Sequence, residues 1–330
     1  MDIMRARRLR GWDERQSTSR EERSMTTQSN IAELLQREGV ELGDAIGRGT
    51  FSDVRRAWSH RLRAFVAVKM IDRRTSTDFV RHFLPRELLI VQQLRHPNIV
   101  RVHHLLDAGP VVCLVQEYAE HGDLLRLIKR RRRLTETDAR PLFRQLIEAL
   151  EYLRRLEIAH RDIKCENVFL DRNDNVKLGD FGFARWMRAT DVSKTFCGSR
   201  AYVAPEILRA EPYSGSACDI WSAGVVLYVM VTGVMPYDDR NPRHMIEKQL
   251  QHRVTFPRFL GHLISHDVRL LAYIMLHPDP TRRARYADIV NSAWLVHTCA
   301  ELRTTRVVES QVGAASPSCA VPLVVSADEK

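Results

Sequence analysis

From Ile220 to Tyr237 the chain runs 18 residues without a charge, bounded by Asp219 and Asp238. A stretch this apolar is either a membrane span or the buried axis of a domain large enough to enclose a helix that is apolar all round. It sits at the lower edge of what crosses a bilayer, and Gly224, Thr232 and Gly233 interrupt it. The buried axis is therefore expected, without membrane association. With 44% hydrophobic and 28% charged residues, the rest of the chain can supply the enclosing core.

Around this axis the organisation is asymmetric. Residues 1–30 are polar and aperiodic, and 307–330 mix Ser, Ala, Pro and Val without pattern, so disordered segments over 1–30 and 297–330 are expected to flank one domain at 31–296. Leu42 to Val68 is β-branched and turn-punctuated and reads as hairpin strands, with Gly47 and Gly49 at a turn. A helix is predicted over Phe83 to Leu94, ended by His96-Pro97-Asn98, then a strand over Ile99 to Val102 and an apolar strand over Val111 to Val115. After Gly122, helices are predicted over Leu124 to Lys129, Thr137 to Leu156, Ile220 to Val231 and His266 to Leu276. The fold class is α+β: a small β-rich lobe to about residue 117 and a large helical one from about 122.

The formal charge of +10 sits mostly on the domain, because residues 1–30 carry +2 and residues 297–330 carry −1, leaving about +9. That favours acidic partners without specifying one. No basic stripe with interleaved aromatics points to specific nucleic-acid binding. Arg130 to Arg133 is the strongest charge block and reads as a solvated loop between two helices, or as a nuclear import signal or acidic docking patch. The six cysteines, at 113, 165, 197, 218, 299 and 319, form no CxxC pair and follow no secretory leader, which fits a reducing cytoplasm rather than zinc or disulfides. The Arg- and Ser-rich start is interrupted by Asp2, Asp13, Glu14, Glu21 and Glu22, unlike a mitochondrial presequence.

Three constellations carry chemistry. In Gly47-Arg48-Gly49-Thr50-Phe51-Ser52-Asp-Val54, following Ile46, two glycines let backbone amides approach phosphate oxygens while valine covers a flat base. Ala67-Val68-Lys69, twenty residues after Gly49, places an ammonium on a strand, and Glu87 on the next helix supplies a carboxylate to hold it. His160-Arg161-Asp162-Ile-Lys164-Cys-Glu166-Asn167 is the most specific of the three, and Asp180-Phe181-Gly182 and Ala204-Pro205-Glu206 follow it in order.

This set resembles the eukaryotic protein kinases over roughly Leu42 to Trp294. The resemblance implies a bilobal kinase fold that uses ATP with magnesium, or manganese. Asp162 would accept the proton of the attacking hydroxyl, Lys164 and Lys69 would neutralise phosphoryl charge, and Asn167 and Asp180 would ligate the metal. Ile46 to Val54, Ala67, Lys69, Glu87, Glu117, Ala119 and Asp123 would surround the nucleotide. Glu206 would pair with Arg283, and Asp219 would hold the backbone of the catalytic loop. Thr195 would be an activating phosphosite facing Arg161. Glu166 and Asp123 would select an arginine three residues before the acceptor.

Lys164 and Gly198-Ser199 look like the serine/threonine branch, and Thr195-Phe-Cys-Gly-Ser199 is similar to the calcium/calmodulin-kinase group. Phe83-Leu-Pro85-Arg86-Glu87, Cys165, Met235-Pro-Tyr-Asp-Asp239 and His252-Arg-Val-Thr-Phe-Pro257 resemble the testis-specific serine/threonine kinases. That likeness implies a monomeric cytoplasmic kinase of male germ-cell differentiation, a client of a heat-shock chaperone. Gln116, guarding the back of the adenine pocket, and Gly179, before Asp180, depart from the usual pattern. The rival within the same fold is a pseudokinase scaffold, which the presence of Lys69, Asp162, Asn167 and Asp180 disfavours.

Overall fold

A computed structural model describes residues 31–49, 52–74 and 82–296. Helix α1 (31–37) leads into a five-stranded antiparallel sheet of order β1-β2-β3-β5-β4. Its strands are β1 (Val40–Arg48), β2 (Ser52–Ser59), β3 (Ala64–Asp72), β4 (Val102–Asp107) and β5 (Val111–Glu117), with α2 (Leu84–Gln93) inserted after β3. Because side chains alternate faces along a strand, Val66 and Val68 of β3 pack outward with Ile31 and Leu35 of α1. The same alternation turns Ala67 and Lys69 to the opposite face, where both line the interlobe cleft.

Helix α2 starts with Pro85 in its first turn, where a missing N–H costs nothing. Its buried residues are Leu84, Glu87, Ile90 and Val91. Helical spacing thus carries a carboxylate into the interior along with three apolar side chains.

The second lobe holds α3 (Leu124–Arg131), α4 (Glu136–Arg155), α5 (Pro205–Leu208), α6 (Gly215–Thr232), α7 (Pro242–Leu250), α8 (His266–Met275), α9 (Tyr286–Val290) and α10 (Ala293–Val296). Two small two-stranded sheets, β6 (Ile158–Ala159) with β9 (Arg185–Trp186) and β7 (Val168–Leu170) with β8 (Val176–Leu178), frame the loops facing the cleft. The apolar stretch lies largely in α6, long and apolar enough to cross a membrane by composition alone, but buried over 89% of its length inside this fold. It packs against α4 and α8. One core cluster runs from Ile71 and Leu114 in the first lobe to Trp221 and Met275 in the second.

The structure corrects three local readings. Gly47 lies within β1, paired with Val54, and the turn closes instead through Gly49 N–H to the Ser52 carbonyl at 2.7 Å. The strand expected at Ile99 to Val102 begins at Val102, because Ile99 and Val100 cross over to bridge Leu178 of β8. Arg130 and Arg131 belong to the last turn of α3 rather than to a loop, a position where cations meet unpaired helix carbonyls favourably. Thr50, Phe51 and the segments 1–30 and 297–330 lie outside the described residues.

Candidate active site

Between the lobes lies a cleft of about 610 Å³. Its roof comes from Ile46, Gly47, Arg48, Gly49, Ser52 and Val54, its back from Ala67, Lys69, Glu87 and Gln116. Glu117, Ala119 and Asp123 line the connection between lobes, and Glu166, Asn167 and Asp180 line the floor.

Lys69 joins three elements: its Nζ lies 2.8 Å from Glu87 Oε1 on α2 and 2.9 Å from Asp180 Oδ1. Burial alone would lower the Lys69 pKa, but the charges of Glu87 and Asp180 outweigh it and hold the ammonium well above its ordinary value. The Lys69 charge, reinforced by its hydrogen bond and opposed by burial, keeps the Asp180 carboxyl down at about 2. At neutral pH a fixed cation and a fixed anion therefore share one cleft. The second oxygen of Glu87 is buried without a partner.

The Asp162 carboxylate accepts from four donors. Lys164 Nζ donates to its Oδ2 at 2.7 Å, as does Asn167 Nδ2 at 3.1 Å. The Ser199 N–H and hydroxyl donate to Oδ1 at 3.0 and 3.1 Å. The carboxylate is thereby fixed in place, 4% exposed, at the edge of the cleft. Ser199 was read from sequence only as a family signature; its contact with Asp162 spans 37 residues of chain, which no local pattern shows.

Beneath the loop, Asp219 of α6 accepts the His160 and Arg161 amides, each at 2.8 Å. Burial pushes its carboxyl above the usual range, against the pull of the His160 and Arg161 charges and those two amides. The ring of His160 packs against Phe181 at 4.9 Å between centroids. Arg283 forks onto Glu206 at 2.7 and 2.9 Å, both side chains buried, with its guanidinium over the Trp221 ring.

Among similar proteins, the sequence pattern of the protein kinase domain matches residues 40–295. Testis-specific serine/threonine-protein kinase 1 of Mus musculus is 45% identical over 80% of this chain and 74% of its own length. Testis-specific serine/threonine-protein kinase 3 of Homo sapiens is 42% identical over 81% of this chain and 100% of its own. The chain belongs to the protein kinase family. Within it, the chain stands with the testis-specific serine/threonine kinases, and it is an ATP-dependent protein serine/threonine kinase.

The kinase's cleft suits this chemistry. Among the described residues no cluster of three or more His, Cys, Asp or Glu could form an all-protein metal cage. Magnesium needs no such cage, taking one or two protein oxygens and completing its shell with phosphate and water. The ionised Asp180 and the Asn167 side chain, both on the cleft floor, fit that demand.

Two residues to which the sequence assigns no site role also matter. Arg161 and Arg185 of β9 lie close enough to Arg86 of α2 for their charges to repel it, and burial, followed by that repulsion, lowers the Arg86 pKa. Arg161 donates to the Phe183 carbonyl at 2.8 Å and the Tyr213 hydroxyl at 3.2 Å, while its Nη2 is buried without a partner. Thr195 is exposed, and its carbonyl accepts from that same Tyr213 hydroxyl at 2.9 Å. At Gly179 an added Cβ would come within 2.9 Å of Phe169 and 3.0 Å of Val100, so its missing side chain is occupied by a ring rather than left slack.

Proposed function

We propose that this kinase, built on a domain at 31–296, phosphorylates serine and threonine in proteins carrying an arginine three residues before the acceptor. The observation that carries the specificity is Glu166, an exposed carboxylate at the cleft floor, one residue from the buried Asn167. Asp123 stands beside it, but its carboxylate already accepts the Arg126 amide at 2.8 Å as the cap of α3. Glu166 is therefore the principal contact and Asp123 the lesser one. A fork of two charge-assisted hydrogen bonds would be worth about 1.5–3 kcal/mol, a roughly tenfold to hundredfold preference.

In the transfer itself, Asp162 takes the proton of the acceptor hydroxyl, and Lys164 and Lys69 offset charge on the transferred group. Asn167 and Asp180 would hold magnesium, or manganese in its place, and the ion would supply charge neutralisation at the phosphate oxygens. Glu87 and Asp219 keep Lys69 and the loop aligned, so positioning and electrostatics carry most of the rate.

The kinase is switched on by phosphate at Thr195. A doubly charged phosphate would satisfy the free Arg161 nitrogen and relieve the repulsion among Arg86, Arg161 and Arg185, tying α2, the catalytic loop and β9 together. The relatives' names, testis-specific kinases, support a role in male germ-cell differentiation; we further propose that the kinase acts as a cytoplasmic monomer served by a heat-shock chaperone.

A positional-scanning peptide array decides the specificity. Arginine at the third upstream position should dominate for the unmodified kinase and lose its advantage in Glu166→Gln. A flat response at that position, or an unchanged preference in the variant, refutes the assignment.

A further inference from the structure

Helix α3 is eight residues long, yet Arg126, Lys129 and Arg130 all stand exposed on it, with Arg133 just beyond its end. Arg126, Lys129 and Arg130 fall at helical spacings of three and four, the spacing that makes neighbours of side chains, while Arg133 follows the positive-φ cap Arg132. Like charges so placed repel one another and weaken the helix. Cations in the last turn meet the unpaired carbonyls favourably, but Arg126 stands in the first turn, at the helix's positive end, and Arg131 is already paired with Asp138 at 3.2 Å. Among the described residues, Arg126, Lys129, Arg130 and Arg133 have no carboxylate within ion-pair distance. The stripe is unfavourable by itself and becomes favourable when an anionic partner covers it.

Its place decides which partner. α3 packs against the turn Cys165–Asn167 that carries Glu166, and Arg126 lines the cleft mouth together with Asp123 and Glu166. A substrate whose acceptor lies at Asp162 and whose upstream arginine lies at Glu166 is thereby led onto the basic face of α3.

We propose that this face binds a run of acidic residues in the substrate itself, upstream of the arginine, an inference that rests on the Glu166 reading above. The helix is about 12 Å long, the span of roughly four extended residues, which places the acidic run at about the fifth to eighth positions before the acceptor. The substrate class is thus a mixed motif: acidic residues first, then arginine, then serine or threonine. A membrane or nucleic acid would meet the same charge, but neither needs the stripe to start at the mouth of the catalytic cleft.

The test uses the active full-length kinase and its Lys129→Glu/Arg130→Glu variant. Peptides sharing the upstream arginine carry either glutamates or alanines at the acidic positions, and a second pair repeats this with alanine replacing the arginine. In about 50 mM salt the glutamate peptide should show a KM about tenfold lower than its alanine twin, with kcat unchanged, and about 300 mM salt should shrink the difference. The charge-reversed variant should lose or invert that advantage while phosphorylating the alanine peptide as before and melting at the same temperature. Equal KM values for the two peptides, or an advantage that survives charge reversal, overturn the proposal. So does a variant that loses binding to polyuridylate RNA or to phosphatidylserine vesicles while its peptide kinetics stay unchanged. The acidic effect is read at constant upstream residue, so failure of the arginine reading appears separately, as indifference between the two peptide pairs.

Discussion

The hydroxyl of Ser199 lies 3.1 Å from Asp162 Oδ1 and 3.0 Å from Lys164 Nζ, donating to the first and accepting from the second. Gly198 makes the approach possible. Its φ of +92° is open to glycine, and a Cβ there would come within 2.7 Å of the Arg161 carbonyl oxygen. Ser199 therefore holds the Asp162 carboxylate and Lys164 in register from 37 residues beyond Asp162 in the chain.

Replacing Ser199 with alanine removes the hydroxyl's two hydrogen bonds to charged groups, Asp162 and Lys164, while leaving the bonds that the Ser199 N–H and Lys164 themselves make to Asp162. The loss of about 1.5 kcal/mol of alignment should lower kcat/KM roughly tenfold. The melting temperature should hardly move, and Ser199→Thr should retain most of the activity. Steady-state kinetics on one peptide across the three proteins checks this.

The depressed Asp180 pKa has a signed consequence. A carboxyl whose folded pKa, about 2, lies below its ordinary 3.8 adds stability above about pH 4 and loses it as pH falls toward 2. The Asp180 side chain is 46% exposed, so solvent screening reduces the contribution to about 1 kcal/mol. In urea unfolding, the advantage of the unmodified kinase over Asp180→Asn should shrink by that amount between pH 5 and pH 2. A constant difference would show that the Lys69 contact does not set this titration.

How far the chain disclosed itself in advance follows from the range of each interaction. Lys69, Glu87, Asp162, Asn167 and Asp180 were legible because each sits in a short motif whose chemistry needs that residue type. The axis at Ile220 to Tyr237 was legible because a charge-free run of that length has few places to go. Ile99 was misplaced because β-branched residues favour extended backbone without naming a partner, and its partner proved to be Leu178 in the other lobe. The nearness of Arg86 to Arg161 and Arg185 is invisible in the sequence because it depends on how α2 docks on the second lobe, which no local spacing encodes.

Glu206 and Arg283 form an ion pair with side chains 5% and 1% exposed. Removing one partner strands a buried charge, at about 3–5 kcal/mol. Arg283→Met should therefore lower the melting temperature by roughly 10 °C, taking about 2–4 °C per kcal/mol for a domain of this size. Adding Glu206→Gln should restore part of it, since neither charge then lacks a partner. Calorimetry of the two variants checks the order.

At Gly179 the ring of Phe169 occupies the space a side chain would take. Gly179→Ser should then destabilise by about 1–3 kcal/mol through overpacking, and Phe169→Leu in the same chain should recover most of it. Equal stability of Gly179→Ser and the parent would show that the ring yields freely.

The proposed activating role of Thr195 predicts a pattern across variants rather than a single loss. Thr195→Ala should cut activity strongly, with the melting temperature near that of the parent, because an exposed loop hydroxyl supports little packing. Arg86→Ala should cause a comparable loss in the phosphorylated kinase, since it withdraws one of the three guanidiniums proposed to meet the phosphate and with it the tie to α2, which carries Glu87. In the unphosphorylated kinase the same change should do little, because there it only removes a cation repelled by Arg161 and Arg185. The two losses should not add in the double variant, as groups acting through one ion cluster are strongly coupled. Activity measured on phosphatase-treated and untreated preparations of all four proteins reads this out. Additive losses would separate Arg86 from the phosphate, and equal activity of the treated and untreated parent would remove Thr195 from regulation altogether.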